Sequence, residues 1–119
     1  MRKSVKEKWL KALRSGEYKQ TKQCLKDEVG YCCLGVLCDL HSKSVKKKGF
    51  VFKGDKLGKF LYDNCHGCLS DIVEKWAGID HNGGCGEFHY KNGKLDNLAN
   101  LNDKGKSFKQ IANIIEKYF

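Results

Sequence analysis

Gly30-Tyr31-Cys32-Cys33-Leu34-Gly35-Val36-Leu37-Cys38-Asp39-Leu40 carries no basic residue, in a chain with 23 Lys and Arg among its 119 residues. From Cys33 onward the apolar positions fall on nearly every side of a helical projection. That pattern predicts a helix buried on most of its faces, around which the rest of the chain closes. Unpaired cysteine behaves as a small hydrophobe and is among the most buried residue types. Cys33 and Cys38 lie five apart, so they do not share a face as i, i+4 ligands would. A competing reading makes Cys32 or Cys33 a nucleophile, activated by the helix N-terminus with His66 or His89 as base. Plain core packing is the reading the composition favours.

The totals bound the rest. A chain of 119 residues fits one domain, residues 1–119, with one modest core. Hydrophobic residues make up 40% and charged residues 31%, with 13 Gly and no Pro, which describes an ordinary globular protein. No apolar run approaches the roughly 18 residues that a membrane span needs. Behind the charges of Met1-Arg2-Lys3-Ser4-Val5-Lys6-Glu7-Lys8 no apolar stretch follows, so no secretory leader is expected. Seven cysteines without such a leader predict free, buried or metal-bound thiols in a reducing compartment, not a disulfide framework.

Charge is unevenly placed. Residues 1–59 carry 16 Lys and Arg against 6 Asp and Glu, whereas residues 60–119 carry 7 against 8. The basic half points to an anionic partner: a nucleotide, nucleic acid or an acidic protein face. The alternative is a lysine bias that only keeps the chain soluble.

Flanking the central helix, Ser4 with Glu7 reads as a capping box, and Val5, Trp9, Ala12 and Leu13 form an apolar stripe that Gly16 ends. Lys6, Lys8, Lys11 and Arg14 then make a solvated back. The polar loop that follows sets Tyr18 among Arg14, Lys19, Gln20 and Lys22, a surface suited to stacking a base and neutralising a phosphate. Lys43, Lys46-Lys47-Lys48, Lys53, Lys56 and Lys59 form a second basic cluster beside Phe50, Phe52, Phe60 and Tyr62. A short strand is expected within Gly49-Phe50-Val51-Phe52-Lys53-Gly54. Ser70 caps a short helix facing the core with Ile72, Val73 and Trp76 and ending at Gly78. Asn92-Gly93 predicts a two-residue type I′ hairpin turn between 87 and 95. Ser107 and Gln110 form a second capping box, opening a last helix with Phe108, Ile111, Ala112, Ile115 and Tyr118 inward.

Cys65-His66-Gly67-Cys68 before the short helix, with His81 and Cys85 after it, reads C-x2-C-x12-H-x3-C. That matches the ligand spacing of small zinc modules, so Cys65, Cys68, His81 and Cys85 are the candidate ligands of a structural zinc. With seven Cys and four His, chance supplies such spacings easily. No phosphate-binding glycine loop, Ser/His/Asp set or paired-carboxylate signature is found, which weighs against an enzyme.

Three stretches, Trp9-Leu10-Lys11-Ala12-Leu13-Arg14-Ser15-Gly16-Glu17-Tyr18-Lys19-Gln20, Tyr31 to Leu40, and Leu101-Asn102-Asp103-Lys104-Gly105-Lys106-Ser107-Phe108-Lys109-Gln110-Ile111-Ala112, together with Glu74-Lys75-Trp76-Ala77-Gly78, resemble a group of small proteins encoded by tailed bacteriophages. The resemblance implies a small accessory protein in the cytoplasm of an infected bacterium. Such proteins often counter host defence, by trapping a nucleotide signal or binding a host protein. It lends the zinc no support, because 43–68 and 81–94 lie outside the shared stretches.

The expectation is an α+β domain, four to five short helices around a central buried helix with a small antiparallel hairpin or sheet. Its function is expected to be non-catalytic sequestration of an anionic, nucleotide-like ligand. Arg14, Lys19, Gln20 and Lys22 would hold phosphate, Tyr18 and Tyr31 would stack, and Asn102 would read polar edges. The rival is a binder of host nucleic acid or an acidic host protein through the basic half; an enzyme using Cys32 or Cys33 ranks third. Self-association into a homo-oligomer stays open.

Overall fold

The computed structural model describes residues 1–46, 49–79 and 84–119. In chain order the elements are α1 (Lys3–Ser15), β1 (Lys26–Asp27), α2 (Cys33–Val45), β2 (Lys53–Gly54), β3 (Lys59–Leu61), α3 (Asp71–Ala77), β4 (Glu87–His89), β5 (Leu95–Asn97), α4 (Leu98–Asp103) and α5 (Phe108–Tyr118). The fold is α+β, with five helices among the described residues. One antiparallel sheet has the order β1-β3-β2 and a second pairs β4 with β5.

The central helix is α2. Its Cys33, Leu34, Gly35, Val36, Leu37, Cys38 and His41 are all buried, as the unbroken apolar run dictates. Helix α1 lies against both α2 and α5 and inserts Val5, Trp9 and Leu13. Trp9 is fully buried, and its indole N–H finds a partner in the Cys33 carbonyl at 2.9 Å. At Gly35 the backbone of α2 touches that of Leu25, so closely that no Cβ fits between them.

Local signals held where nothing tertiary competed. Ser107 and Gln110 close a reciprocal capping box on α5, Ser70 caps α3, and Gly16 and Gly78 end α1 and α3 in the left-handed conformation. Elsewhere they lost. α1 begins a residue before Ser4, with Arg2 as its uncapped N-cap. The Arg2 amide is instead held by the Ala77 carbonyl at 2.9 Å and its guanidinium by the Trp76 carbonyl at 2.8 Å, so α3 anchors the helix start. The hairpin turn has three residues instead of two. Tyr90 and Lys94 still pair, Gly93 donates to the Tyr90 carbonyl, and only Gly93 takes a positive φ. That is a type I turn with a glycine bulge, which needs one left-handed residue where type I′ needs two. Ile72 is 49% exposed and faces solvent, not the core. Of the strand expected at 49–54, only Lys53–Gly54 pairs, with β3.

His41 sits inside this core, 1% exposed, edge-on to Phe50, Tyr62 and Trp76. Its Nδ1 meets the Tyr62 hydroxyl at 2.7 Å. Burial pulls its pKa below the ordinary value, and the Asp63 charge opposes only in part. A histidine with a depressed folded pKa must be deprotonated to stay buried. Its stabilising share is therefore complete above the unfolded value of about 6.5 and lost as pH falls below it, by up to about 1.4 kcal/mol per pH unit. Urea titrations between pH 7.5 and 5 should show that slope, and His41→Gln should remove it; a flat profile in the parent chain would refute it.

Candidate functional site: a lysine-lined groove

Helix α1 places Lys8, Lys11 and Ser15 on one face at i, i+3, i+7. That face borders the last turns of α2, which contribute Leu40 and Lys43. Together with Ala12, Glu17 and Tyr18 they line a groove of roughly 240 Å³. Lys8, Lys11 and Lys43 thus share the groove's lining with Tyr18 and the apolar Ala12 and Leu40.

Tyr18 is held rigidly. Its hydroxyl donates to Asp39 Oδ2, and Lys43 Nζ reaches the same carboxylate oxygen at 3.0 Å and the phenol oxygen at 3.4 Å. Burial, reinforced by the Asp39 carboxylate, pushes the Tyr18 pKa up to about 12. Asp39 likewise raises Lys43 to about 12, so this lysine stays charged. Lys43 also lies 5.7 Å from the Tyr18 ring centroid, and Tyr31 packs edge-on against that ring at 5.1 Å.

The structure redistributes the residues expected to bind. Tyr18 is in the groove. Tyr31 is half-buried behind it, between Tyr18 and Phe52 and beneath the Lys26 ammonium, so it supports the site without lining it. Arg14 turns to α5, where it meets Glu116 Oε2 and Asn113 Oδ1, each at 3.0 Å. Lys19 and Lys22 are exposed outside the groove. Gln20 and Asn102 do not fit a ligand role. The Gln20 side chain donates to Asn102 Oδ1 and the Lys106 carbonyl and accepts from the Phe108 amide. Asn102 is fully buried with its amide engaged at both ends. Lys43 comes from the second basic cluster, whereas Lys8 and Lys11 read from sequence only as a solvated back. Their helical spacing was legible, but not the packing of α1 on α2 that turns a solvated back into a groove wall.

The other chemical readings fail on geometry. Cys32 is the N-cap of α2, yet burial pushes its thiol up to about 12, and burial also raises Cys33 and Cys38 well above the ordinary range. A buried protonated thiol is no nucleophile at neutral pH. His66 is occupied with Asp55 at 3.3 Å, and His89 is exposed on β4. The zinc set is not assembled either. Cys68 and Cys85 are joined in a disulfide, their Cα atoms 4.9 Å apart, against the expectation of free, buried or metal-bound thiols. A disulfide offers no thiolate to a metal. Cys65 is a separate free thiol, His81 lies outside the described residues, and among the described residues no three His, Cys, Asp or Glu side chains gather to hold an ion.

Among the described residues no helix is long and apolar enough to cross a membrane. A larger cleft of about 500 Å³ lies beside α3, but Asp63, Asp71 and Glu74 line it, the wrong sign for an anion. No curated protein and no solved structure matches the chain. A family model described as Domain of unknown function (DUF8296) matches residues 1–119, and the chain belongs to that family.

Proposed function

We propose that this protein is a non-catalytic binder that sequesters an anionic, nucleotide-like ligand. The observation that carries this reading is the groove between α1 and α2, whose lining includes Lys8, Lys11, Lys43 and Tyr18. Ammonium groups supply charge for phosphate, and a fixed ring with an apolar patch supplies a face for a base. Cys32 and Cys33 lie outside the groove's lining, and burial pushes both thiols up. The resemblance to tailed-phage proteins supplies the setting: an accessory protein in the infected bacterial cytoplasm, blunting a defence that signals through a nucleotide.

Calorimetry against cyclic mononucleotides, cyclic dinucleotides and ADP-ribose should give saturable binding, with the nucleotide recovered chemically unchanged. Lys8→Glu with Lys11→Glu should weaken it at least tenfold while leaving the thermal midpoint near that of the parent, since both side chains are exposed. Absence of heat with every nucleotide would overturn the reading. A second reading, docking on a host protein, is favoured by Val29 and Leu57, 64% and 83% exposed beside one shallow cleft at the β1–β3 end of the sheet. Docking on nucleic acid through the basic half would instead show as a salt-steep affinity for DNA.

A further inference from the structure

Only part of the strand pattern in Phe50-Val51-Phe52-Lys53-Gly54 is used by the fold. The Phe50 ring lies edge-on to His41 and the Phe52 ring 5.0 Å from that of Tyr62, while Val51 is 51% exposed and Lys53 is exposed. That is the in-and-out alternation of a half-buried strand. Yet only Lys53 and Gly54 pair, opposite Leu61 and Phe60, and the chain bends at Val51. β3 does not run on beside residues 50–52. Asp63 and Asn64 both take positive φ and turn the chain back, so that Tyr62 and Cys65 exchange backbone hydrogen bonds with each other.

The opposite side of β2 is an open edge, since β2 ends the strand order β1-β3-β2. The Asp55 amide donates to the Lys59 carbonyl at 2.7 Å, so by antiparallel alternation Lys53 also directs its N–H and C=O at β3. Those of Phe52 and Gly54 then point away from β3, and among the described residues they meet no hydrogen-bond partner. Lysine dominates the charge here: residues 46–59 carry six Lys against one acidic residue, Asp55. The Asp55 carboxylate is engaged by the Leu57 and Lys59 amides, and Asp63 shares a small cleft with Val51 and Lys53. Lysine on an edge strand opposes pairing with its like, and a second copy brought edge to edge would set two such segments together. An acidic strand meets no such opposition.

We propose that residues 52–54 accept an extended acidic segment of a partner protein as an added strand. Main-chain bonds to Phe52 and Gly54 hold the segment, and its carboxylates, facing the lysines, decide which segment is taken. The edge shares no residue with the lining of the lysine groove, so the two readings stand or fall separately.

A capped, fluorescent peptide of alternating threonine and glutamate, about ten residues long, is the probe. Anisotropy should show saturable binding, with the matching threonine–lysine peptide at least tenfold weaker. Gly54→Pro deletes the outward N–H without taking a bond from β3, as proline on an open edge can. Gly54 has no positive φ, and an added Cβ stands 3.5 Å from the Phe60 ring, an ordinary contact. Gly54→Pro should therefore weaken the acidic peptide at least tenfold and Gly54→Ala should not, both with urea midpoints near that of the parent. In the parent, bound peptide should slow hydrogen exchange at the Gly54 amide, a readout that does not depend on either variant folding. Absence of binding, or binding with Gly54 exchange unchanged, would overturn strand addition. Equal affinity for the two peptides would overturn the acidic partner. Dimerisation in sedimentation that Gly54→Pro abolishes would overturn it too, by making a second copy the occupant.

Discussion

Gly35→Ala should destabilise the chain by about 3 kcal/mol or more, enough to leave much of it unfolded at ambient temperature. The sign is informative, because intrinsic propensity argues the other way. A glycine in the middle of a helix costs roughly 0.5–1 kcal/mol relative to alanine, so α2 considered alone would gain from the change. Gly35 does not have a positive φ, and the backbone itself would accept a side chain. The obstacle is Leu25. A methyl group on Gly35 would lie within the van der Waals envelope of the Leu25 carbonyl oxygen and 2.7 Å from its carbonyl carbon. That carbonyl cannot retreat cheaply, since it accepts from the Cys32 amide at 3.0 Å while the Leu25 side chain is fully buried. The neighbour that must give is backbone, not the end of a flexible side chain. Gly67→Ala is the matched control: nothing lies within 4 Å of the added Cβ and its φ is not positive. That change should move stability by no more than about 0.5 kcal/mol. Urea midpoints for the three chains decide it; a Gly35→Ala midpoint at or above that of the parent would show that propensity outweighs the contact.

Gly35 also shows where sequence reading stops. The run from Cys33 to Leu40 announced a helix buried on most sides, because periodicity and composition are local quantities. It did not announce that one position on that helix faces a carbonyl ten residues upstream. The same boundary recurs throughout. Ser107 with Gln110 was readable as a cap since both partners lie within one turn, whereas Ser4 lost its cap to α3, more than seventy residues away. Tyr18 reads from sequence as a candidate binding residue because of its basic surroundings. The lysines that line a groove with it, Lys8, Lys11 and Lys43, come from two helices whose packing no local pattern encodes. Spacing alone also could not distinguish a metal set from a disulfide, since Cys68 and Cys85 satisfy both and only their approach decides.

Asn102 presents the same problem with a larger energetic consequence. Read from sequence it was a polar side chain available to a ligand; in the fold it is 0% exposed. Its Oδ1 accepts from Gln20 Nε2 at 2.8 Å and from the Cys33 amide at 3.2 Å, and its Nδ2 donates to the Thr21 carbonyl at 2.7 Å. Those three bonds join the loop before β1, the first turn of α2 and α4, segments separated by up to 82 residues. The Cys33 amide is one of the donors that a helix start leaves without an intrahelical acceptor, so Asn102 serves as a tertiary cap for the central helix. Asn102→Ala removes every partner at once. It leaves the Cys33 amide and the Thr21 carbonyl without that partner, at about 1–3 kcal/mol for each buried group left unsatisfied, with a cavity in addition. A loss of about 3–5 kcal/mol is expected. Asn102→Asp keeps the acceptor but sets an oxygen against the Thr21 carbonyl and buries a charge, so it should rescue little at neutral pH. A ligand-reading residue would behave differently: its removal would lower affinity and spare the urea midpoint. If Asn102→Ala unfolds at the parent midpoint and loses nucleotide binding, the structural role argued here is wrong and the side chain belongs to the site after all.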